Sequence, residues 1–377
     1  MLDQRSLSTN SAFNYYFTGG SGVHVYMLDT GVDCGHDEFD TVTCSSSSYQ
    51  ANSSWGGAYV DAVGHGTRMA SLAVGSSTGI ARTATLHSVK VGNSVDDIDP
   101  GDVQDGVEWI LANAPAASVV NVSLTIDAGT LSDWFKNAIN SLASSNISVV
   151  VGAGNGGSDN IGDDTQSLGF CDLHSAVIVV SAVNAAGHRP SYANYGSCVD
   201  LFSPGYGLRA AISGTSGNYT DASGGTSSAT ALVSGIVATI LQQRSTAGVG
   251  DIFDQVLGTA SSGILVTIGS GSPNLLANSI HLFYPSITGP TSIDVTTAPV
   301  QATWNVSPTG GNGTYTYEWK ASLNGGAWSV VSTSSSYTRT IPRFSEYNLQ
   351  LKVTVSSAGE SYIKPYNLAV AVTCGGC

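Results

Sequence analysis

At 377 residues, with 42% hydrophobic and only 11% charged side chains, the chain can build a large core plus a second domain and is too apolar for disorder. Thirteen Lys and Arg against 27 Asp and Glu leave a formal net charge of −14, which opposes nucleic acid and anionic membrane surfaces. The longest apolar runs, residues 147–153 and 231–241, fall short of the roughly 20 residues of a membrane span, so a soluble chain is expected.

In chain order, residues 23–28 (Val-His-Val-Tyr-Met-Leu) read as a buried parallel strand. Asp29 closes that strand at its carboxyl end, where open α/β sheets place ligands. Next comes Gly64-His65-Gly66-Thr67, in which glycines on both sides of a histidine let the backbone pass close to a cleft. Residues 119–124, 148–152 and 177–183 repeat the strand pattern. They alternate with helix-like stretches at 101–114, 131–144 and 227–243, and such alternation predicts a mostly parallel sheet with helices on both faces. Gly225-Thr226-Ser227-Ser228-Ala229 enters the last of these, so Ser227 is expected to open a helix.

Near residues 282–290 helical periodicity stops and short alternating strands begin, at 314–320, 336–341 and 348–355. The pattern reads as an immunoglobulin-like β-sandwich with Trp319 in its core. The expected domains are therefore an α/β unit over 1–282, a linker over 283–290 and a small all-β sandwich over 291–377.

Six cysteines in a Ser- and Gly-rich chain favour an oxidising compartment. Proximity suggests Cys34 with Cys44, Cys171 with Cys198 and Cys374 with Cys377, although the sequence alone leaves connectivity open. Cys374-Gly-Gly-Cys377 lacks the second half of a zinc site.

Singly, the polar candidates have ordinary readings. Asp29 could be a turn residue, His65 a structural histidine, Ser227 an N-cap and Asn155 a turn asparagine in a Gly-rich loop. Together, a carboxylate, an imidazole and a hydroxyl are the parts that make a serine nucleophilic at neutral pH. The chain order Asp, His, Ser is one of the few known arrangements of that set. These segments resemble the subtilisin-like serine peptidases, and further landmarks resemble their proteinase K and aqualysin branch. Among them are Val151-Gly152-Ala153-Gly154-Asn155, Ser123-Leu124, the run from Asn194-Tyr195-Gly196-Ser197-Cys198 to Phe202, and Ser272-Pro273-Asn274-Leu275-Leu276. Leu2-Asp3-Gln4-Arg5-Ser6-Leu7 is similar to the mature start of such enzymes.

The resemblance implies a subtilisin-like fold and a secreted endopeptidase working through an acyl-enzyme. In it Ser227 attacks, His65 shuttles the proton, Asp29 orients the imidazole and Asn155 donates to the oxyanion. The substrate would lie as an added strand along Ser123, Leu124 and Thr125 and along residues 94–99, with Gly152, Ala153 and Gly154 walling the primary pocket. The chain departs from the family pattern at Thr125 for Gly, Arg68 for a second histidine, Ser228 for Met and Ala231 for Pro. The resemblance also implies the Cys171–Cys198 bridge, no organic cofactor, and a structural Ca²⁺ held by Asp200 with the carbonyls of Ser175 and Val177. Asp96, Asp97 and Asp99 read instead as a solvated acidic loop.

The expected partners are protein or peptide substrates and a removed inhibitory propeptide, with no nucleic acid and no membrane insertion. The chain is expected to be a monomer, in a mature or trimmed form without its signal peptide. The rival reading is a catalytically silent protein that binds peptides or a surface on the same fold.

Overall fold

The computed structural model describes residues 2–3, 6–7, 19–94, 98–124, 130–156, 161–214, 216–279, 284–290, 292–294, 298–309, 315–342, 347–357 and 360–373. The chain divides into two compact units, Met1–Ile280 and His281–Cys377.

In the first unit, strand β1 (His24–Asp29) is flanked by β2 (Thr85–Lys90) on one side and β3 (Ser118–Val122) on the other, both parallel to it. Beyond β3 follow β4 (Ser148–Gly152), β5 (Ile178–Val183) and β6 (Leu201–Pro204), again parallel. Short pairings at Thr43–Cys44, Tyr49–Gln50, Leu275–Leu276 and Ser261–Ser262 complete a ten-stranded sheet among the described residues. The strands are apolar on both faces because both faces are covered. Helices α2 (Pro100–Asn113) and α3 (Asp133–Ser144) share one core with Tyr26, Leu28, Val120, Val122, Val149 and Val151. On the other face lie α1 (His65–Val74) and α4 (Gly225–Gln243), the latter against β1 and β3 through β6. By length and composition α4 could cross a bilayer, but 89% of its apolar window is buried inside the protein. Helix α5 (Val249–Thr259) packs on α4.

The order of strands reverses at β1, since the chain runs from β1 to β2 on one side and returns to β3 on the other. Carboxyl ends beside such a reversal form the crevice of an open α/β sheet. Asp29 ends β1, Ser123 follows β3 and Gly152 ends β4.

Several local details differ from the sequence reading. Helix α4 starts at Gly225, not Ser227, because Asn155 accepts the Thr226 N–H at 3.1 Å and so caps the helix from a distant loop. Ser227 is the third helical residue. Asp99 is the N-cap of α2, its side chain accepting the Gly101 N–H at 2.7 Å, while Asp96 and Asp97 lie outside the described residues. The α1, β2 and α5 segments, and a hairpin of β7 (Leu208–Ala211) with β8 (Tyr219–Ser223), were not foreseen.

The second unit is all β. Strands β9 (Tyr284–Thr288), β11 (Val300–Thr309) and β14 (Ser336–Ile341) pair antiparallel. A second sheet runs β10 (Ser292–Asp294), β16 (Glu360–Thr373), β15 (Tyr347–Ser357), β12 (Thr316–Leu323), β13 (Ser329–Ser332). Side chains from both sheets meet in one core, where fully buried Trp304 stacks on Tyr337 at 5.7 Å and Trp319 lies beside them. Both indole N–H groups are satisfied, Trp304 by Pro290 O and Trp319 by Ser334 O, each at 3.1 Å. The segment expected to be a linker, 283–290, contains β9, in register with β11.

Candidate active site

Asp29 is fully buried at the end of β1. Its Oδ1 accepts the Nδ1–H of His65 at 2.7 Å and the N–H of Thr30 at 2.7 Å. The bond to a carboxylate fixes the imidazole tautomer, leaving Nε2 as the available base. His65 is the first residue of α1, with a side chain 14% exposed. Gly64 caps that helix at φ +76° and offers no side chain. A Cβ at Gly66 would overlap the Gly31 carbonyl, so only glycine lets α1 approach the β1 exit so closely. The His65 pKa is raised: desolvation pulls it down, but the charge and hydrogen bond of Asp29 outweigh this. Arg68 lowers it and Asp61 raises it through their charges.

Ser227 and Asn155 meet at the start of α4. Because Asn155 Oδ1 accepts the Thr226 N–H, its Nδ2 faces away from that bond with donors to spare. The Ser227 hydroxyl donates to the Ser123 carbonyl at 3.0 Å and not to His65. Asp29 thus bonds His65 and Asn155 bonds the start of α4, while the Ser227 hydroxyl is held by Ser123.

Ser123 and Leu124 follow β3 directly. Gly152 ends β4, Ala153 is buried with its N–H on Val180 O at 2.9 Å, and Gly154 holds φ +87°. Asn194, read from the sequence only as part of a family landmark and not as a site residue, clamps this wall: its Nδ2 donates to Ala153 O at 2.8 Å and its N–H to Gly154 O at 3.0 Å. Thr125 lies outside the described residues, as do Cys374 and Cys377. Cys34 bonds Cys44 and Cys171 bonds Cys198.

Asp200 Oδ2 accepts the Val179 N–H at 2.7 Å. Burial pushes this carboxyl up to about 7, with that hydrogen bond pulling the other way. Ser175 and Val177 lie in the turn that leads into β5, Val177 buried. Among the described residues no cluster of three or more His, Cys, Asp or Glu side chains could hold a metal.

Asp61 is the other residue missed from sequence. It is buried and accepts four hydrogen bonds, from Thr30 Oγ1, Gly64 N–H, Thr67 N–H and Thr67 Oγ1, at 2.6 to 2.9 Å. Beside it, the buried Lys90 ammonium donates to Val60 O at 2.5 Å. Burial lowers the Lys90 pKa, while the Asp61 charge raises it.

Comparison with known proteins gives one consistent picture. The profile described as the Subtilase family matches residues 20–294. The extracellular serine proteinase of Thermus sp. is 35% identical over 277 residues, covering 73% of this chain and 64% of that protein. The alkaline serine exoprotease A of Vibrio alginolyticus is 33% identical over 280 residues, covering 74% of this chain and 49% of that protein. The chain thus spans from about half to just under two thirds of the length of these relatives. A crystal structure of a cold adapted subtilisin-like serine proteinase, 30% identical, superposes with a TM-score of 0.66, covering 74% of this chain and 96% of the other.

Proposed function

The chain belongs to the subtilase family and its first unit has the subtilisin-like fold, and from that premise we propose that it is a secreted serine endopeptidase that cleaves peptide bonds through an acyl-enzyme. The observation that carries the reading is the 2.7 Å bond between buried Asp29 and His65 at the crevice edge of the sheet. A histidine held there with its Nε2 free is a general base awaiting a hydroxyl.

The positions of the side chains support the following course for the reaction. Rotation about the Ser227 Cα–Cβ bond takes Oγ from the Ser123 carbonyl toward His65. Ser227 Oγ then attacks the scissile carbonyl while His65 Nε2 takes its proton, and Asp29 stabilises the imidazolium. The oxyanion develops at the start of α4, where the helix dipole and Asn155 Nδ2 favour negative charge. His65 returns the proton to the leaving amine, and water repeats the sequence to release the acyl group. Ser123 and Leu124, with Gly152, Ala153 and Gly154, offer an edge and a wall for the extended substrate.

The donor set at Asp200 suits calcium: a carboxylate whose proton affinity burial has raised gains from a cation, and the carbonyls of Ser175 and Val177 would supply further hard oxygens. The ion would stabilise the fold and take no part in the reaction. The Cys171–Cys198 bridge supports placement in the proteinase K and aqualysin branch, and the Trp304 and Trp319 core supports an immunoglobulin-like accessory module. We read the protein as a monomer released from an inhibitory propeptide.

A fluorophosphonate probe tests the assignment. It should label the folded chain at Ser227 and fail on Ser227→Ala of unchanged circular dichroism. Absence of label on the folded wild-type chain would sink the reading.

A further inference from the structure

The Asp29 and His65 segments come from different elements, β1 and α1, and their bond requires the two to meet in one register. Packing of the buried helix sets part of that register, but its first turn, His65, Gly66 and Thr67 after a glycine cap, has few side chains to fix it. Hydrogen bonds do. Asp61 Oδ2 accepts from Thr67 N–H and Thr67 Oγ1, and Oδ1 accepts from Gly64 N–H, so one carboxylate holds the backbone on both sides of His65. The same Oδ1 accepts from Thr30 Oγ1 at 2.9 Å, and Thr30 Oγ1 accepts the Gly66 N–H at 3.1 Å. Thr30 N–H donates to Asp29 Oδ1, the oxygen that holds His65. A closed ring thus runs from Asp61 through Thr30 to Asp29, across to His65, and back through the first turn of α1. Thr67 Oγ1 also takes the Asp33 N–H at 2.9 Å, tying the β1 exit to the same centre.

We propose that Asp61 is the positioning residue of this site: its buried carboxylate locks Thr30 and the first turn of α1 so that the His65 imidazole meets Asp29 in a single orientation. The proposal rests on the peptidase reading. Asp61 touches no substrate; it acts through Thr30 and the α1 backbone, and its charge reaches His65 through space. The charged groups facing His65 among the described residues are Asp29 from β1, Asp61 from the preceding loop and Arg68 from α1 itself, while Lys90 at the end of β2 faces Asp61. Asp61 and Asp29 favour the imidazolium, and Arg68 opposes it.

The test uses the full chain, a peptide p-nitroanilide, and active sites counted with the fluorophosphonate. Asp61→Asn should lower kcat per active site by about tenfold with KM within about twofold, as expected when alignment rather than binding is lost. The acid limb of its pH profile should move to lower pH, because a negative charge near the imidazole is gone. The downfield proton resonance of His65 Nδ1–H should weaken. Thr30→Val should lower kcat and weaken the resonance while Thr30→Ser restores both, a pattern that a general loss of stability does not produce. A folded Asp61→Asn with wild-type kcat, pH midpoint and resonance would overturn the proposal. If Asp61→Asn does not fold, an unchanged kcat and resonance in Thr30→Val would do the same. If the wild-type chain neither labels nor hydrolyses, the peptidase reading fails separately, and the resonance in the Asp61 and Thr30 variants still decides the positioning role.

Discussion

Ser123 and Ser227 exchange hydrogen bonds: the Ser123 hydroxyl donates to the Ser227 carbonyl at 3.1 Å, and the Ser227 hydroxyl donates to the Ser123 carbonyl at 3.0 Å. Ser123 Oγ also accepts from Asn121 Nδ2, whose Oδ1 accepts from Ser234 on α4. The end of β3 is thereby fastened to α4 at two levels. The Ser227 backbone is fixed while its hydroxyl retains a rotation, as a nucleophile that must turn toward its base requires.

Asn155→Ala should lower kcat by about 100- to 1000-fold with KM little changed, a magnitude measured for one oxyanion donor in a subtilisin, a relative, and carried over from it. The substitution also removes the acceptor of the Thr226 N–H, so a modest fall in melting temperature should accompany it. Steady-state kinetics at saturating and limiting substrate separate the two constants. A change in KM alone would speak against the oxyanion role.

Activity should rise with pH through His65, at a midpoint above the ordinary histidine value, because the neutral imidazole accepts the serine proton and its pKa is raised. Arg68 opposes the imidazolium, so Arg68→Gln should make it easier to protonate and move the midpoint to higher pH. The profile of kcat/KM against pH reads this directly. A midpoint that moved downward would show that the Arg68 charge does not govern the site.

Acid should weaken the fold through His87. Its Nδ1–H donates to Ser47 O at 2.8 Å, so its Nε2 must accept from His24 Nδ1–H, also at 2.8 Å, and the ring must stay neutral. Burial, outweighing the Ser47 bond, with the His24 charge adding to it, lowers its pKa from 6.5 to about 4. Above 6.5 both folded and unfolded states hold His87 neutral and no penalty exists. As pH falls from 6.5 toward about 4 the unfolded state binds the proton first, so stability declines across that window and levels off below it. His87→Gln should flatten this part of a melting-temperature profile, and an undiminished slope would assign the loss to other groups.

Chelation should leave the turnover of fresh enzyme intact yet shorten its half-life on heating, because an ion bound only by the folded state stabilises it. Asp200→Asn should abolish the difference between EDTA and calcium buffers. Equal half-lives of the wild-type chain in both buffers would remove calcium from Asp200.

The parallel strands were legible because residues such as Val25, Met27 and Val120 are apolar toward both covered faces, and Asp29, His65, Ser227 and Asn155 were legible as motifs. What escaped depends on partners distant in sequence. Helix α1 opens with poor helix formers and a glycine, and its free N–H groups are satisfied by Thr30 and Asp61. The start of α4 is displaced because its cap is Asn155, from the loop after β4. Asp61 itself looks like any turn carboxylate until the chain brings Thr30 against it. Strand β9 was hidden by Pro285, which pairs with Pro308 where the composition suggested a joint.

Every strand on which α4 packs precedes it in the chain, and Ser227 meets a partner 104 positions earlier. A ribosome therefore delivers Asp29, His65, Ser123 and Asn155 before it delivers the serine. Long-range closures of this kind form slowly, and α4 has no apolar groove to enter until the sheet exists. The order of synthesis thus separates the parts of the site: a chain that ends before α4 can already pair Asp29 with His65 yet carries no hydroxyl for that imidazole to meet.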